Sequence, residues 1–363
     1  MPGGHAGGLA KRREVWWWGT YPEAGLGAPT GAGEGLWVQT ASGAAEVMEV
    51  PAPSFVIGHP DLPLIYAATE ETVATVLAVD VSIAEAPTVV GRLVTGGADA
   101  CHLALSPDAL TLYVAHYSSG DIAVVPLGAD GAFSGETPAQ LLRLEGSGPV
   151  AGRQESPHAH FVGYAPGGAD LLVSDLGSDS LWRFAILPDG RLRADGKAAD
   201  LPAGSGPRHF AIRDDKIHVV CELDHTLTTL EWDSGARSAR LVSSIPTTAV
   251  PLRTGDAIYD AHIVSTAGVL LVSVRGPDVI SVFDVGANGL PTLRGSFDSG
   301  GSWPRHFEVI GERVVVGNQN SHLACAFDLA DVLALVPADD PAVPVTLAHA
   351  DTGVMSPACV CSL

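Results

Sequence analysis

Three chemically different side chains occur at one fixed distance after a histidine that recurs along the chain. An arginine can hold an anion through two parallel hydrogen bonds and can stabilise a developing oxyanion. A glutamate beside an arginine stays ionised and can take a proton from water or from carbon. The side chains are Glu222, Arg275 and Gln319, thirteen residues after His209, His262 and His306 respectively. The pattern supports a catalytic group and a structural ion pair between Glu222 and Arg275 equally well.

Two further kinds of segment have unusual residues next to the recurring histidine. Arg208 and Arg305 stand directly before it in Pro-Arg-His, where a small residue stands in other copies. His158 and His160 belong to a Pro-His-Ala-His segment, and a spacing of two places both imidazoles on one face of a strand. Histidine titrates near neutral pH, so we expect His160 to donate a proton to a leaving oxygen.

The recurring histidine marks an internal repeat. Each copy continues with short runs rich in Val, Leu, Ile and Thr, bounded by Gly, Asp, Ser or Pro, as is typical of β-strands. Helical periodicity is confined to residues 329–336. Six copies contain His59, His102, His160, His209, His262 and His306, and a weaker seventh lies in residues 14–49. Seven copies give a period of about 52 residues, which is typical of propeller blades.

These features predict an all-β protein, a seven-bladed β-propeller built as a single domain over residues 1–363. We expect the first blade near residues 14–50, closed by a C-terminal strand near 357–363, because an open sheet edge invites aggregation. The first strand of each blade lines the central channel, so the six histidines are expected to form a ring. We expect the ring to be structural and function to lie where single blades depart from the repeat.

Composition excludes several classes of function. The chain has 363 residues, 46% of them hydrophobic, and its net charge of −21 argues against a nucleic-acid partner. Its five cysteines are scattered, so the sequence predicts neither a disulfide framework nor a zinc site, and Cys101, Cys221 and Cys325 are expected to be small buried residues. The apolar run 15–18 is too short for a signal peptide or a membrane span. We therefore expect a cytoplasmic protein that does not contact a membrane.

Short motifs spread in order over nearly the whole chain carry a resemblance to a known family. They are Gly19-Thr20-Tyr21, Gly58-His59-Pro60, Cys101-His102-Leu103, Ser106-Pro107-Asp108, Pro157-His158-Ala159-His160, Asp175-Leu176-Gly177, Gly206-Pro207-Arg208-His209, Glu222-Leu223-Asp224, Arg275-Gly276, Pro304-Arg305-His306 and Asn318-Gln319. With these motifs the sequence resembles the seven-bladed propeller lactonases. That family includes the propeller-type 6-phosphogluconolactonases and the carboxy-cis,cis-muconate cyclases.

The resemblance implies an active site formed by His160, Arg208, Glu222 and Arg275. It also implies hydrolysis of a small anionic lactone such as 6-phosphogluconolactone, in carbohydrate metabolism, without a metal or other cofactor. Glu222 would activate water, the two arginines would bind the anion and the oxyanion, and His160 would assist departure of the ring oxygen. The side chains further expected to bind substrate are His158, His209, Arg305, His306 and Gln319.

Two alternatives stay open at this point. The same groups could move a proton between carbon and a base, which would make the protein a cycloisomerase of the muconate-cyclase type. A propeller can also be a non-catalytic platform for protein interactions, with an exposed apolar patch on one face. Cys221, Val274 and His116 stand where the family usually has asparagine. These substitutions leave open a different substrate or a loss of activity, and the sequence leaves the oligomeric state open.

Overall fold

The computed structural model describes residues 15–21, 35–252, 258–336 and 338–363. In these residues the chain forms seven four-stranded antiparallel sheets, which are the blades of a β-propeller. The predicted fold class is confirmed. Residues 14 and 22–34, part of the predicted first blade, lie outside the described residues, as do the N-terminal residues 1–13.

The strands are numbered β1 to β28 in chain order, and the first strand named in each blade is the one nearest the axis. Blade one contains β28 (Pro357–Ser362), β1 (Trp16–Thr20), β2 (Leu36–Thr40) and β3 (Gly43–Met48), and blade two contains β4 (Phe55–Gly58), β5 (Leu64–Ala68), β6 (Thr75–Asp80) and β7 (Thr88–Val94). Blade three contains β8 (Ala100–Leu105), β9 (Thr111–His116), β10 (Asp121–Pro126) and β11 (Gln140–Arg143), and blade four contains β12 (Ala159–Tyr164), β13 (Asp170–Asp175), β14 (Ser180–Ile186) and β15 (Leu192–Asp200).

The remaining three blades follow the same order. Blade five contains β16 (Pro207–Arg213), β17 (Lys216–Cys221), β18 (Thr226–Asp233) and β19 (Ser238–Pro246), and blade six contains β20 (Tyr259–Thr266), β21 (Val269–Arg275), β22 (Val279–Val285) and β23 (Pro291–Asp298). Blade seven contains β24 (Pro304–Ile310), β25 (Arg313–Asn318), β26 (Leu323–Asp328) and β27 (His349–Gly353). Within the described residues, helix is limited to a 3-10 turn at Gln319–Ser321 and to α1 at Leu329–Leu333.

The second strand of a blade is buried on both faces because it lies between two neighbouring blades. Every residue of β5, β9, β13, β17 and β21 is buried. These strands therefore appear in the sequence as nearly continuous apolar runs, whereas the outermost strand β7 is largely exposed. All five cysteines are free, and Cys101, Cys221 and Cys325 are buried, as predicted.

The C-terminal strand lies at the axis of blade one. β28 pairs antiparallel with β1, and Trp17 stands opposite Cys361. The two ends of the described chain therefore share one sheet, and the edge that β1 would otherwise present is hydrogen-bonded.

The innermost strands of blades three to seven each contain a β-bulge near their first residues. A bulge places two residues of one strand opposite a single residue of its partner and re-aims a side chain. We call the residue directly after the last one paired before the register shift the bulge position. The bulge positions are Cys101, His160, Arg208, Ala261 and Arg305.

The residues that follow the bulge positions pack against one another around the axis, and we call them, together with Phe55 of β4, the axial ring. Ring centroids lie 4.0 Å apart for His102 and Phe161 and 4.2 Å apart for His262 and His306. Phe55 lies 4.3 Å from His102 and 5.7 Å from His306, which closes the circle. The members are Phe55, His102, Phe161, His209, His262 and His306.

The prediction that His59 and His160 belong to this ring is wrong. His160 occupies the bulge position of blade four, and Phe161 takes the place in the ring. His59 follows β4, where its Nδ1 accepts hydrogen bonds of 3.1 Å from the backbone N–H groups of Asp61 and Leu62. The sequence comparison aligned the blades by their histidines, and this placed blade four one residue out of register with the others. The alternation of apolar residues in a strand does not reveal a bulge.

Candidate active site

A second set of equivalent residues lies at the ends of the second strands, where the chain leaves the sheet. The residue six places after the first residue of β5, β9, β17 or β21 is Glu70, Tyr117, Glu222 or Arg275 respectively. Tyr21 directly follows β1, which is the second strand of blade one. We call these the strand-end positions. They point to one end of the axis because all second strands run in the same direction relative to it.

These two sets of residues line a cavity of about 250 Å³ next to the axial ring. The strand-end positions contribute Tyr21, Glu70, Tyr117, Glu222 and Arg275, and the bulge positions contribute His160, Arg208 and Arg305. Arg153, Tyr259 and Trp303 complete the wall. The four residues that the resemblance singled out, together with Arg305, therefore face one shared space.

Glu222 lies at the centre of a cluster of arginines. Arg275 Nη2 donates to its Oε2 at 2.9 Å, and Arg153 Nη2 donates to its Oε1 at 2.5 Å. Arg208 Nε lies 2.9 Å from the same Oε2. Glu222, Arg208 and Arg275 are almost entirely buried, so these charges interact with little screening by water.

The protein holds two of these arginines in fixed orientations. Arg275 also donates to the carbonyl oxygens of Tyr259, at 3.0 Å, and Asp260, at 3.2 Å, and its guanidinium lies 5.2 Å from the centre of the Trp303 ring. Arg208 Nη1 donates to the carbonyl oxygen of Ala261. Donors fixed in this way are suited to stabilising negative charge, because they need no reorganisation when it appears.

All of these groups are charged at neutral pH. Burial raises the pKa of the Glu222 carboxyl. The charges of Arg275 and Arg208 lower this pKa by more than burial raises it, so it lies well below its usual range. Burial, and then the charge of Arg275, lower the pKa of Arg208 to about 9. Glu222 is therefore a carboxylate surrounded by cations, and as long as they surround it, it is a weak base.

His160 differs from the sequence expectation. Burial, and then the charge of Arg208, lower the pKa of this imidazole well below its usual value, so it is neutral rather than poised near pH 7. Its ring packs edge-on against Tyr117, with centroids 5.3 Å apart, and its Nδ1 lies 4.0 Å from Cys101 Sγ. The prediction of near-neutral titration is therefore wrong, although a neutral imidazole still carries one N–H donor.

A second carboxylate, Glu70, lines the cavity at the strand-end position of blade two. Tyr21 Oη donates to its Oε1 at 3.0 Å, and Arg305 Nη2 lies 3.5 Å from its Oε2. Arg305 also lies over the Tyr21 ring, 4.3 Å from its centre. The Oε2 atom is buried and accepts no hydrogen bond from the described residues. It can therefore accept one from a bound molecule.

Four of the predicted substrate-binding residues do not line the cavity. His158 stacks on Tyr117, with centroids 4.4 Å apart, and its Nδ1 donates to the Tyr117 carbonyl oxygen at 2.8 Å. His209 and His306 belong to the axial ring. Gln319 begins the 3-10 turn at the strand-end position of blade seven. Arg305 is the member of that set that lines the cavity.

Sequence reasoning missed several residues of the cavity wall. Tyr117 and Glu70 could have been found by counting six residues from the start of each second strand, instead of thirteen from a histidine. Arg153, Tyr259 and Trp303 come from segments between blades or from the start of an inner strand, and the repeat gives no signal for them. Of these, Arg153 matters most, because it completes the set of three arginines around Glu222.

Side chains whose ligand atoms are close enough together to bind one metal ion lie outside the cavity. Among the described residues, one set of His, Cys and carboxylate side chains has such a spacing: Cys325, His349 and Asp351 of blade seven. None of the three lines the cavity.

Comparison with known proteins assigns the family. The sequence model of the family described as "Lactonase, 7-bladed beta-propeller" matches residues 38–335. The 6-phosphogluconolactonase of Bacillus subtilis is 32% identical over 217 residues, which are 58% of this chain and 60% of that protein. An uncharacterised protein of Staphylococcus saprophyticus is 26% identical over 250 residues, 66% of this chain and 67% of that protein.

Solved structures show the same fold. The Pseudomonas aeruginosa periplasmic gluconolactonase PpgL matches with a TM-score of 0.80 at 24% identity, over 96% of this chain and 98% of that one. A Lactobacillus plantarum protein matches with a TM-score of 0.79 at 23% identity, over 96% of this chain and 99% of that one.

The fold and the site together define a propeller with a cationic cavity at its axis. The chain belongs to the seven-bladed β-propeller lactonase family. Both helical segments among the described residues are too short to span a membrane. The cytoplasmic location stays a prediction, and one protein of the same fold is described as periplasmic.

Proposed function

We propose that this protein is a lactonase that hydrolyses a small anionic lactone in the axial cavity. The observation that carries the proposal is the placement of charge. Four arginines and two glutamates line the cavity, which gives it a net charge of 4 − 2 = +2 inside a chain of net charge −21. Such a local excess of positive charge attracts an anion and stabilises the oxyanion of a tetrahedral intermediate.

The anion is proposed to bind to the arginines that hold Glu222. Arg153 and Arg275 each donate to Glu222, and Arg208 contacts it, so an incoming carboxylate or phosphate competes with Glu222 for the same donors. Each donor that turns to the substrate leaves Glu222 less stabilised as an anion, and the pKa of its carboxyl rises. Substrate binding thereby converts a weak base into one able to activate water.

The proton movements balance within this set of side chains. Water adds to the lactone carbonyl while Glu222 takes one of its protons, and the carbonyl oxygen becomes an oxyanion held by an arginine. The bond from the carbonyl carbon to the ring oxygen then breaks. Neutral His160 relays the proton: it donates its N–H proton to that oxygen while its other ring nitrogen accepts the proton that Glu222 took from water. The product is an open-chain hydroxy acid, which ionises to its carboxylate.

Glu70 favours the lactonase over the cycloisomerase. Its Oε2 is a buried atom that accepts no hydrogen bond from the described residues, although Arg305 lies 3.5 Å away, and a hydrogen-bond donor on the ligand would satisfy it. A hydroxyl group of a hydroxylated lactone supplies one. An unsaturated polycarboxylate, the substrate of a muconate-type cyclisation, has no such donor, and the carboxylates not bound by the arginines would be repelled by Glu70.

The buried charges also favour an enzyme over a non-catalytic interaction platform. Glu222, Arg208 and Arg275 are each less than a tenth exposed, and burying charges costs free energy that a flat docking face does not require. The arginines fill the end of the axis, where a ligand must be small.

A panel of lactones tests the proposal. The wild-type protein is assayed for acid release on anionic hydroxylated lactones, on neutral hydroxylated lactones and on anionic lactones without hydroxyl groups. We expect the first group to be hydrolysed with the highest kcat/KM. Failure to hydrolyse any lactone, or cyclisation of an unsaturated polycarboxylate at a higher kcat/KM, would overturn it.

A further inference from the structure

We propose that Cys325, His349 and Asp351 bind a divalent transition-metal ion of the zinc type at the outer edge of blade seven. The three residues lie on the neighbouring strands β26 and β27. Cys325 stands opposite Asp351 in the strand register, and His349 is two residues before Asp351, so it lies on the same face. The sequence gives no metal motif here because the pairing of distant segments creates the site.

The donor atoms are close enough for one ion. His349 Nε2 lies 3.0 Å from Asp351 Oδ1, and these two atoms and Cys325 Sγ all lie within 4.8 Å of one another. A sulfur, an imidazole nitrogen and a carboxylate oxygen form a donor set that suits zinc and chemically similar ions. A water molecule completes a tetrahedral site, because the His349 and Asp351 side chains are 22% and 53% exposed.

The histidine ring is oriented as a metal ligand requires. His349 Nδ1 lies 3.1 Å from the carbonyl oxygen of Leu347, which can only accept a hydrogen bond. Nδ1 therefore carries the proton, and in the neutral ring Nε2 points a lone pair toward the carboxylate and the sulfur. A backbone carbonyl on the remote ring nitrogen is the usual support of a metal-bound histidine.

The sulfur is supported in a similar way. Asn318 Nδ2 donates to the carbonyl oxygen of Ser299 at 2.8 Å, which fixes the orientation of its amide, and also to Cys325 Sγ at 3.4 Å. The sulfur thus accepts a hydrogen bond, as the sulfur of a thiol or of a metal-bound thiolate can. Binding of the ion removes the Cys325 thiol proton, so one proton is released for each ion bound and affinity falls as the pH falls.

A glycine, Gly300, leaves space for an ion between the three side chains. Gly300 has a φ of +79°, and a Cβ atom built on it would lie 2.6 Å from Cys325 Sγ and 3.0 Å from His349 Nε2. Any side chain at this position would occupy the space that the ion needs. The ion would tie the edge strand β27 to β26 at a point where the chain returns from the segment after α1.

Cobalt(II) is the probe for this site because, unlike zinc, it absorbs light. The full-length protein, free of any histidine tag, is titrated with Co²⁺, and we expect a sulfur-to-cobalt charge-transfer band that saturates at one ion per chain. Zinc should displace the cobalt and raise the Tm of the wild-type protein.

Matched variants separate the site from unspecific binding. Cys325→Ser should abolish the band, while Cys361→Ser, which removes a half-buried thiol of blade one, should leave it unchanged. Asp351→Asn, a change at an exposed side chain, and Gly300→Ala should each weaken cobalt binding at least about tenfold, comparable to the loss of a supporting group at a metal site. Absence of a band in the wild-type protein, or a band that survives in a folded Cys325→Ser variant, would overturn the proposal.

Discussion

Glu70 and Glu222 occupy the same strand-end position in blades two and five, yet their carboxylates have very different partners. Both oxygens of Glu222 contact arginines, at 2.5 to 2.9 Å. Glu70 accepts one hydrogen bond from Tyr21 and lies 3.5 Å from Arg305, and its Oε2 accepts none from the described residues. The same strand-end position thus supplies one carboxylate whose two oxygens contact arginines and another with one oxygen that can still accept a hydrogen bond from a ligand.

Glu70→Gln tests the recognition of ligand hydroxyl groups. The amide has the size of the carboxylate, but it is a weaker acceptor without a charge, so we expect KM for a hydroxylated anionic lactone to rise about tenfold or more. KM for the same lactone without hydroxyl groups should not rise. The comparison is a steady-state assay of both substrates.

Glu85→Gln is the matched control, because Glu85 is an exposed glutamate of the same blade. Tyr21→Phe should reproduce the Glu70→Gln effect in part, because the Tyr21 hydroxyl orients the Glu70 carboxylate. An equal loss on both substrates would mean that Glu70 supports the fold of the cavity and does not recognise hydroxyl groups.

Arg153→Met tests a cavity residue that sequence patterns do not reveal. The Arg153 side chain is 29% exposed and comes from the segment between β11 and β12, so its loss should change Tm little. A hydrogen bond to a charged group contributes about 1.5–3 kcal/mol, so we expect KM for an anionic lactone to rise at least about tenfold. KM for a neutral lactone should change much less.

Arg143→Met provides the comparison for Arg153→Met, since Arg143 is an exposed arginine at the end of β11. If both variants raise KM equally, general attraction by the charge of the protein explains the effect. In that case Arg153 has no specific role in the cavity.

The axial ring makes the folded state sensitive to acid. Burial lowers the pKa of His306 to about 3, and it lowers those of His102, His209 and His262 well below the usual 6.5. Below about pH 6.5 the unfolded chain therefore binds protons that the folded chain does not bind. The free energy of unfolding should be constant above this pH and should fall below it, by up to about 1.4 kcal/mol per pH unit for each histidine.

His306→Phe tests this linkage, and the ring already accommodates phenylalanine at Phe55 and Phe161. Urea unfolding at pH 8, 6 and 5 should show a smaller loss of stability with falling pH than in the wild-type protein. The backbone N–H of Val360 loses its acceptor in this variant, so the value at pH 8 serves as the reference for each protein. An unchanged or steeper pH dependence would contradict the account. Glu222 adds a further loss below about pH 4.5, because its pKa is lowered by folding.

The repeat was enough to predict the architecture of this protein. Fully buried second strands such as β5 and β21 appear as short apolar runs at regular intervals, and their number sets the number of blades. The positions of Glu222 and Arg275 could also be predicted, because equal spacing in adjacent blades places side chains next to each other.

The details that sequence patterns could not predict depend on backbone irregularity and on segments outside the repeat. The bulge in β12 places His160 in the cavity beside Arg208 instead of in the axial ring. The alternation of residues along the strand does not indicate this bulge. The neutrality of His160 depends on its burial, which only the packed structure shows. Arg153 reaches Glu222 from a connecting segment.

Glu222→Gln tests the central claim, that Glu222 activates water against an anionic lactone. The three arginines lose their countercharge, so we expect a loss of roughly 3–5 kcal/mol in stability, and circular dichroism must first show that the variant is folded. Glu145→Gln, at an exposed glutamate, controls for the change of charge.

The decisive measurement is the rate of acid release from one anionic lactone at saturation, for the wild-type protein and for folded Glu222→Gln. We predict that kcat falls by about 10²- to 10⁴-fold. The product anion should bind at least as tightly, because Glu222 no longer competes for Arg208 and Arg275. Equal kcat values for the two proteins would contradict the account.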